Sequence, residues 1–412
     1  MLKPFYSPEG AVRIVVLSAA AELGGAERSL ITFLKSARSR GIDATVVLPR
    51  EGRLTHELSQ IEVAWRIVPP PESLLTLSRG AGAHALGRVM RESPRVAGYV
   101  RRVARLLDEL APHVIYTNSI KSHILGAMLR PLVRRPVVWH VRDVWSARAM
   151  GLAADLGADH VIANSQATAL ALREHMRRPR KVSVVYNAVD AEEFSPEGPT
   201  ALCGNASSDE WRIGLPAMMT RIKGHELLLR AAPRVGVEFP SARLYFIGGT
   251  VYDTMGDRDY EARLRDLVSR TAPAERVVFT GFQERMAPWY RAMDVVVNAS
   301  VRPEGFGRTV LEAMSCGRAV VAPDAGGIRE FVLHGENGLL YPMGDADALA
   351  QAVIELLRDE RLRRRLGEEG RSTAVKRFGV EPYVDAVAGI LMKIASRNRA
   401  IPRRTPWRSR VG

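Results

Sequence analysis

The sequence predicts an α/β protein built from two doubly wound domains that face each other across a cleft, and three observations predict it. Short apolar runs without polar alternation recur along the chain, at 12–18, 44–48 and 63–68 early on and at 243–247, 277–280, 295–297 and 319–322 later. Such runs suit strands of a parallel sheet covered by helices on both faces. The series is interrupted at 195–209, SPEGPTALCGNASSD, whose Pro, Gly, Ser and Ala content marks a domain boundary. The length, 412 residues, exceeds one typical domain and fits two of roughly 200 residues each.

Composition narrows the function classes. A hydrophobic fraction of 46% with 25% charged residues is that of a folded globular chain rather than a disordered one. No apolar run approaches about 18 residues, so no transmembrane helix is expected. The opening MLKPFYSPEG has no signal-peptide core, and Cys203 and Cys316 are the only cysteines. Both features point to a reducing, cytoplasmic setting without a disulfide framework. Asn205 and Asn298 each begin an N-x-S pattern, read here as chance. The net charge of +14 attracts nucleic acid, anionic membrane or phosphorylated ligands. The arginines are spread along the chain, with no zinc-finger spacing, helix-turn-helix pattern or aromatic-interleaved basic strand. Nucleic acid is therefore not the expected partner, and a nucleic-acid-binding protein stays open only on the charge, with steeply salt-dependent duplex binding as its mark.

In the first half, the run 12–18 leads into Gly24-Gly25 and an amphipathic stretch at 29–39. Strand, glycine turn and helix open a Rossmann-like half, although G-x-G-x-x-G is absent and a dinucleotide fingerprint is not supported. After the strands at 44–48 and 63–68, Pro69, Pro70 and Pro71 break the chain. Next come Arg79, Arg88, Arg91, Arg95, Arg101, Arg102 and Arg105, with Val96, Tyr99, Val100, Val103 and Leu107 at helical spacing. Such a helix either packs its apolar stripe on the domain with its arginines solvated, or lies on an anionic membrane through 88–105. In the second case the protein would sit at the inner face of the membrane and meet a lipid-linked acceptor. Further strands are expected at 113–118, 136–140, 161–165 and 182–190, with a helix at 167–176. His140 ends its strand and is expected to point into the cleft edge beside the glycine loop. The alternative is a strand-end histidine satisfied by backbone.

In the second half the informative stretch is PEGFGRTVLEAMSCG, 303–317. Glu304 and Glu312 stand eight positions apart, with Gly305 and Gly307 between them. The strand at 294–298 precedes it, and a helix at 308–315 follows, ending at Gly317. In an open α/β sheet that loop lies at the carboxyl edge, where ligands bind. Glycines let the backbone approach a ligand, a helix N-terminus offers N–H groups to an anion, and a carboxylate takes two hydroxyls at once. The segment therefore looks built for a nucleotide sugar. AMMTRIKGHE at 217–226 adds Lys223. Asp345-Ala-Asp347 has the spacing of a metal site but opens an apolar-periodic helix, so it is read as a cap. A last amphipathic helix is expected at 384–395, before a basic tail without acids.

At these residues the chain resembles a known family. E-x7-E around GFG, then EAM-x-CG, the buried VVA, Gly326-Gly327 with Glu330, and HGENGLL at 334–340 are similar to the donor site of GT-B retaining glycosyltransferases of family 4, the glycosyl transferases group 1. GGAE at 24–27 is similar to the family's N-terminal loop. The resemblance implies a Rossmann-like acceptor-side domain at 1–195, a linker at 196–210, and a donor domain at 211–380. It further implies a helix at 381–396 crossing back to the first domain, with the tail at 397–412. Glu304 with Gly305 and the amides of Phe306 and Gly307 would hold the transferred sugar, and Glu312 the ribose hydroxyls. Lys223 would grip the diphosphate. The family's arginine position falls on Met218, and Arg221 would replace it. Gly24 and Gly25 would face the phosphates, His140 the sugar, and Gly281 belongs to the segment at 279–285 that meets the base. No metal or other cofactor is implied; the donor would be a UDP- or GDP-sugar, and the acceptor a glycan or lipid-linked molecule of surface polysaccharide or glycoconjugate synthesis. Met218 leaves open a non-catalytic nucleotide-sugar-binding partner of a transferase, and an epimerase on the same fold is a third option.

Overall fold

The computed structural model describes residues 10–75, 93–144, 148–201, 210–250, 259–271 and 276–399. Two parallel sheets form two lobes. The first contains β1 (Val12–Leu17), β2 (Ile42–Leu48), β3 (Ala64–Ile67), β4 (Val114–Thr117), β5 (Val137–Val141), β6 (His160–Ala163) and β7 (Val182–Val184), in the order β3-β2-β1-β4-β5-β6-β7. The second contains β8 (Trp211–Pro216), β9 (Ala242–Ile247), β10 (Val277–Gly281), β11 (Val295–Val297), β12 (Ala319–Pro323) and β13 (Leu339–Tyr341), in the order β10-β9-β8-β11-β12-β13. Strand order reverses between β1 and β4 in one lobe and between β8 and β11 in the other. Side-by-side strands whose connections leave in opposite directions open a crevice at their carboxyl ends.

Helices cover both faces of each sheet. In the first lobe these are α1 (Gly25–Ala37), α2 (Arg53–Gln60), α3 (Ser93–Leu110), α4 (Ile120–Val133), α5 (Arg148–Gly157) and α6 (Gln166–Arg173). In the second they are α7 (His225–Glu238), α8 (Tyr260–Thr271), α9 (Ala287–Ala292), α10 (Arg308–Ser315), α11 (Ala346–Arg358) and α12 (Glu360–Arg377). The strands bury residues on both sides: Ile14 and Val16 join the core under α1, whereas Val15 and Leu17 join the one under α3 to α6. That double burial is why the sequence shows unbroken apolar runs. The last helix, α13 (Val380–Arg399), returns to the first lobe, where Tyr383, Val384, Val387 and Leu391 complete the core beside α1. Asp345 caps α11 by accepting the Ala348 N–H at 2.9 Å. No described helix is long and apolar enough to cross a membrane.

Several elements differ from the sequence expectation. The stretch 182–190 is strand only over its first three residues. Beyond them the chain crosses between the lobes, the Val189 N–H donates to the Phe378 carbonyl at 2.9 Å, and Val189 and Phe194 enter the second lobe's core. The basic helix α3 buries all of Val96, Tyr99, Val100, Val103 and Leu107 in the first lobe. Its apolar stripe is thus occupied by the protein's own sheet and is not free to enter a bilayer; Arg101, Arg102 and Arg105 are exposed, and 88–92 lie outside the described residues. Arg79, Arg88, Arg91, Cys203, Asn205, most of the linker and the tail beyond 399 lie outside the described residues.

Two of the contacts between the lobes bear on the loop after β11 and its support. Gly305 lies against the Arg142 carbonyl so closely that a Cβ would come within 2.2 Å of that oxygen. Glu330 reaches across to the start of α6, accepting the Gln166 N–H at 2.8 Å and the Ala167 N–H at 2.7 Å. A carboxylate at a helix N-terminus satisfies free amides and meets the helix dipole favourably. Here that carboxylate comes from the opposite lobe. Glu330→Ala should cost about 1 kcal/mol, the usual worth of such a cap. Amide exchange at Gln166 and Ala167 should then rise roughly fivefold; unchanged exchange would show that the tie carries no energy.

Candidate active site

The second switch point brings together the loops after β8 and β11. Gly224 has a left-handed φ of +72° and sits where a Cβ would fall 1.8 Å from the Ala299 carbonyl. The Val301 N–H donates to the Ile222 carbonyl at 3.0 Å. These contacts lock the two loops together, and Lys223 Nζ meets Glu304 Oε1 at 2.8 Å. The same Oε1 accepts from Asn298 Nδ2 at 3.0 Å and from the Ser300 hydroxyl. Burial works against the charge on Glu304, but the Lys223 ammonium and the two neutral donors, Ser300 and Asn298, outweigh it and hold the carboxyl below its ordinary range. Among the described residues Oε2 accepts no hydrogen bond, so one face of the carboxylate is left for a hydroxyl. Next to Lys223, His225 is pushed down to about 3 by burial first and by the lysine's charge second, so it stays neutral.

Backbone packing fixes the rest of the loop. Gly326 and Gly327 nest under it: a Cβ at Gly327 would lie 2.2 Å from the Gly305 carbonyl, and the Gly327 N–H donates to the Glu304 carbonyl at 2.9 Å. Phe306 is buried among Phe331, Phe378 and Tyr186. Gly307, at φ +91°, turns the chain into α10, whose first amides have no partner within the helix. The two loops therefore carry an ammonium, a carboxylate face and a helix N-terminus, the groups suited to a sugar joined to a diphosphate.

Glu312 lies one layer deeper. Its Oε1 is held by Arg308, at 2.7 Å from Nε and 2.6 Å from Nη2, and its Oε2 accepts from the Tyr290 hydroxyl at 2.7 Å. Burial and then the Glu312 charge push the Tyr290 hydroxyl well above its usual range, which keeps it a donor. Oε1 is filled by the two Arg308 donors and Oε2 retains a second lone pair, so a ribose hydroxyl would have to share Oε2 with Tyr290.

From the first lobe, the Gly24 amide is already engaged by Glu27 Oε2 at 3.1 Å, while Gly25 opens onto empty space. His140 does not point into the cleft. Its ring is fully buried between Tyr116, whose hydroxyl bonds Nδ1, and Tyr383 of α13, with ring centroids 6.5 Å from the latter. On β5, Val138 and His140 share the sheet face covered by α1 and α13, and this alternation sends the side chain inward. Burial, then Arg142 and His123, keep it neutral by lowering its pKa well below the ordinary value.

The group at the end of β5 is Arg142, which no motif reading had singled out as functional. Its guanidinium donates to Asn118 Oδ1 at 2.7 Å and Asn187 Oδ1 at 2.6 Å, with Tyr383 Oη at 3.3 Å. No described carboxylate is within ion-pair distance; the buried Glu27 carboxylate favours its charge from further off. Arg221 is exposed and Met218 half-buried, so neither places an arginine beside Lys223 in the way Lys223 and Glu304 meet. Gly281, at φ +69°, ends β10 beside open space. Just after it, Phe282 lies 3.8 Å beneath the Arg53 guanidinium, and Arg28 donates to the Glu284 carbonyl at 3.0 Å.

Two doubly wound lobes of this topology have the GT-B fold. Residues 23–193 match the Glycosyltransferase Family 4 and residues 212–359 the Glycosyl transferases group 1. The chain belongs to this glycosyltransferase family. It is similar to Anabaena Alr3699/HepE, solved in complex with UDP-glucose, with a TM-score of 0.78 and 27% identity, covering 92% of this chain and 99% of that one. Sucrose-phosphate synthase from Thermosynechococcus elongatus shares the fold at 20% identity and a TM-score of 0.77, covering 94% of this chain and 100% of that one. Putative glycosyltransferase EpsD of Bacillus subtilis is 33% identical over 182 residues, spanning 44% of this chain and only 45% of that relative. N-acetyl-alpha-D-glucosaminyl L-malate synthase of Bacillus anthracis is 28% identical over 287 residues, 68% of this chain and 72% of that protein.

The Lys223–Glu304 pair has a signed pH consequence. Glu304 titrates low in the folded protein, so its contribution is complete above the ordinary carboxylate value and lost as pH falls through the folded one. In Lys223→Met burial acts without the lysine, and the carboxyl should move above its ordinary value. Its ionisation then destabilises the fold at neutral pH, and acidification relieves this. The melting temperatures of wild type and variant should differ most near neutrality and converge towards pH 3; a constant gap would contradict the coupling.

Proposed function

We propose that the protein is a retaining glycosyltransferase that moves a sugar from a UDP- or GDP-sugar to a glycan or lipid-linked acceptor in the cytoplasm, in surface polysaccharide or glycoconjugate synthesis. The observation that carries this is the meeting of Lys223 and Glu304 at the switch point, with one carboxylate oxygen free and the α10 N-terminus beside them. The UDP-glucose complex of a relative with the same fold supports a nucleotide-sugar donor. Glu304 holds the sugar hydroxyls, and Lys223 with the α10 amides receives the diphosphate. When the bond from the anomeric carbon to the phosphate oxygen breaks, the electron pair stays on the diphosphate. Lys223 and the amides stabilise that charge without metal, in a site organised in advance. The acceptor oxygen bonds to the anomeric carbon on the face the diphosphate leaves, and its proton departs with the diphosphate. Closure of the two lobes excludes water and favours transfer over hydrolysis.

A second reading, a non-catalytic nucleotide-sugar-binding partner, is favoured by Met218 in the place of the family's arginine. Thermal-shift measurement against UDP-, GDP- and ADP-sugars identifies the donor, since a ligand at 100 times its Kd stabilises the fold by about 2.7 kcal/mol. With that donor, Glu304→Ala and Lys223→Ala should each lower kcat by roughly 100-fold or more while leaving the fold intact. Turnover like wild type in both would refute the site, and binding with neither transfer nor hydrolysis in wild type would establish the second reading. Met218→Arg should tighten donor binding by several-fold, roughly the effect of one charge-assisted hydrogen bond; weaker binding would mean the diphosphate does not pass that position.

A further inference from the structure

Six of the twelve exposed large hydrophobic side chains among the described residues lie on α4, α5 and α6: Ile124, Met128, Leu132, Leu152, Leu156 and Leu170. Isolated exposed apolar residues are ordinary, but these are aligned. Ile124, Met128 and Leu132 follow one another at four-residue spacing, which puts them on one line of α4; Leu152 and Leu156 do the same on α5. The opposite side of α4 is also apolar, with Leu129 and Val133 buried in the lobe, so this helix is apolar inside and out. The two helices are tied by Arg130, which donates to the Leu156 carbonyl at 2.8 Å. An open groove of about 550 Å³ between their C-terminal ends is lined by Pro131, Arg134, Arg135 and Leu156.

The charge around this stripe is one-sided. Residues 93–135 and 148–159, which contain α3 to α5, hold nine Arg and Lys against four Asp and Glu. Asp155 is buried and Asp159 is taken by Arg130 through two bonds of 2.6 and 3.2 Å. Arg134 and Arg135 at the groove have no carboxylate partner among the described residues. Arg134 also adopts φ +46°, a left-handed conformation that glycine normally supplies at a helix end. An arginine kept there holds a backbone conformation that L-residues disfavour, and it places a cation without a described carboxylate partner at the edge of the apolar row. The row contains no Trp or Tyr, the residues that anchor protein–protein contacts. Aliphatic side chains edged by unpaired arginines suit a lipid surface instead.

We propose that the α4–α5 face seats this protein on an anionic phospholipid bilayer, with Ile124, Met128, Leu132, Leu152 and Leu156 in the acyl boundary and Arg134 and Arg135 on lipid phosphates. The proposal is independent of the transfer chemistry. The test is flotation of the full chain with vesicles of phosphatidylcholine containing phosphatidylglycerol, and with phosphatidylcholine alone. The protein should float with the first and not the second. Leu132→Ser/Leu156→Ser should weaken binding roughly tenfold or more, and Arg134→Gln/Arg135→Gln roughly fivefold for each charge removed. Val237→Ser, an exposed apolar change on α7, should do nothing. Unchanged melting temperatures establish that the variants fold, and vesicles should slow amide exchange in α4 and α5 of the wild type. No flotation, flotation insensitive to both double variants, or self-association without lipid that Leu132→Ser/Leu156→Ser abolishes would each overturn it, the last by showing a second copy on this face.

Discussion

The site depends on one steric permission. Lys223 can reach Glu304 only because Gly224 has no side chain and the loop after β8 can lie on the Ala299 carbonyl. A Cβ there would separate the loops at the switch point and leave a carboxylate in a pocket that opposes its charge. With the loops closed, the ammonium and two neutral donors on one oxygen reverse that balance. The charge is thus held in place before any ligand arrives, and the cost of orienting it is met in folding rather than in catalysis. A diphosphate arriving at Lys223 would exchange one anionic partner for another, so the lysine need never be left alone.

The same economy governs the contact between lobes. Gly305 is both the residue after Glu304 and the residue that touches the Arg142 carbonyl. Any shift of the loop after β11 is therefore felt at the end of β5, where Arg142 is held by Asn118 and Asn187, and Asn118 in turn donates to the Ala26 carbonyl in the first turn of α1. A chain of direct contacts runs from Glu304 through Gly305 and Arg142 to the glycine loop at Gly24-Gly25. The Glu330 tie to α6 stands apart from that chain and holds the same closure from the flank.

Both lobes were legible in the sequence because strands buried on two faces leave unbroken apolar runs. Lys223, Glu304 and the glycines were legible because glycine and charge beside such runs have few structural uses. His140 was misread for the same reason that the strands were easy to find. When every residue of a strand is buried, the pattern does not show which face a polar side chain takes, and β5 directs His140 under α13 rather than into the cleft. The bonds of Arg142 to Asn118 and Asn187, the Tyr290 bond to Glu312 and the Glu330 cap all join residues far apart in sequence; only the folded chain shows them. The basic stripe of α3 was a true helix signal, but periodicity alone cannot say whether an apolar face meets a sheet or a membrane.

That ambiguity has a physical resolution in how the first lobe is covered. One face of its sheet receives α1 and then α13, the returning end of the chain, whose Val384, Val387 and Leu391 finish the core. The other face is covered by a single layer, α3 to α6, and nothing among the described residues lies outside it. The outermost apolar residues of the lobe are therefore on α4 and α5, not on α3. α4 begins at Ser119, directly after β4 at the first lobe's switch point, and runs away from the cleft. Its apolar line consequently starts near the mouth where an acceptor would enter and extends down the flank. If that flank rests on a bilayer, a lipid-borne acceptor needs no separate binding domain, because the helix that rims the cleft also fixes the cleft's height above the membrane.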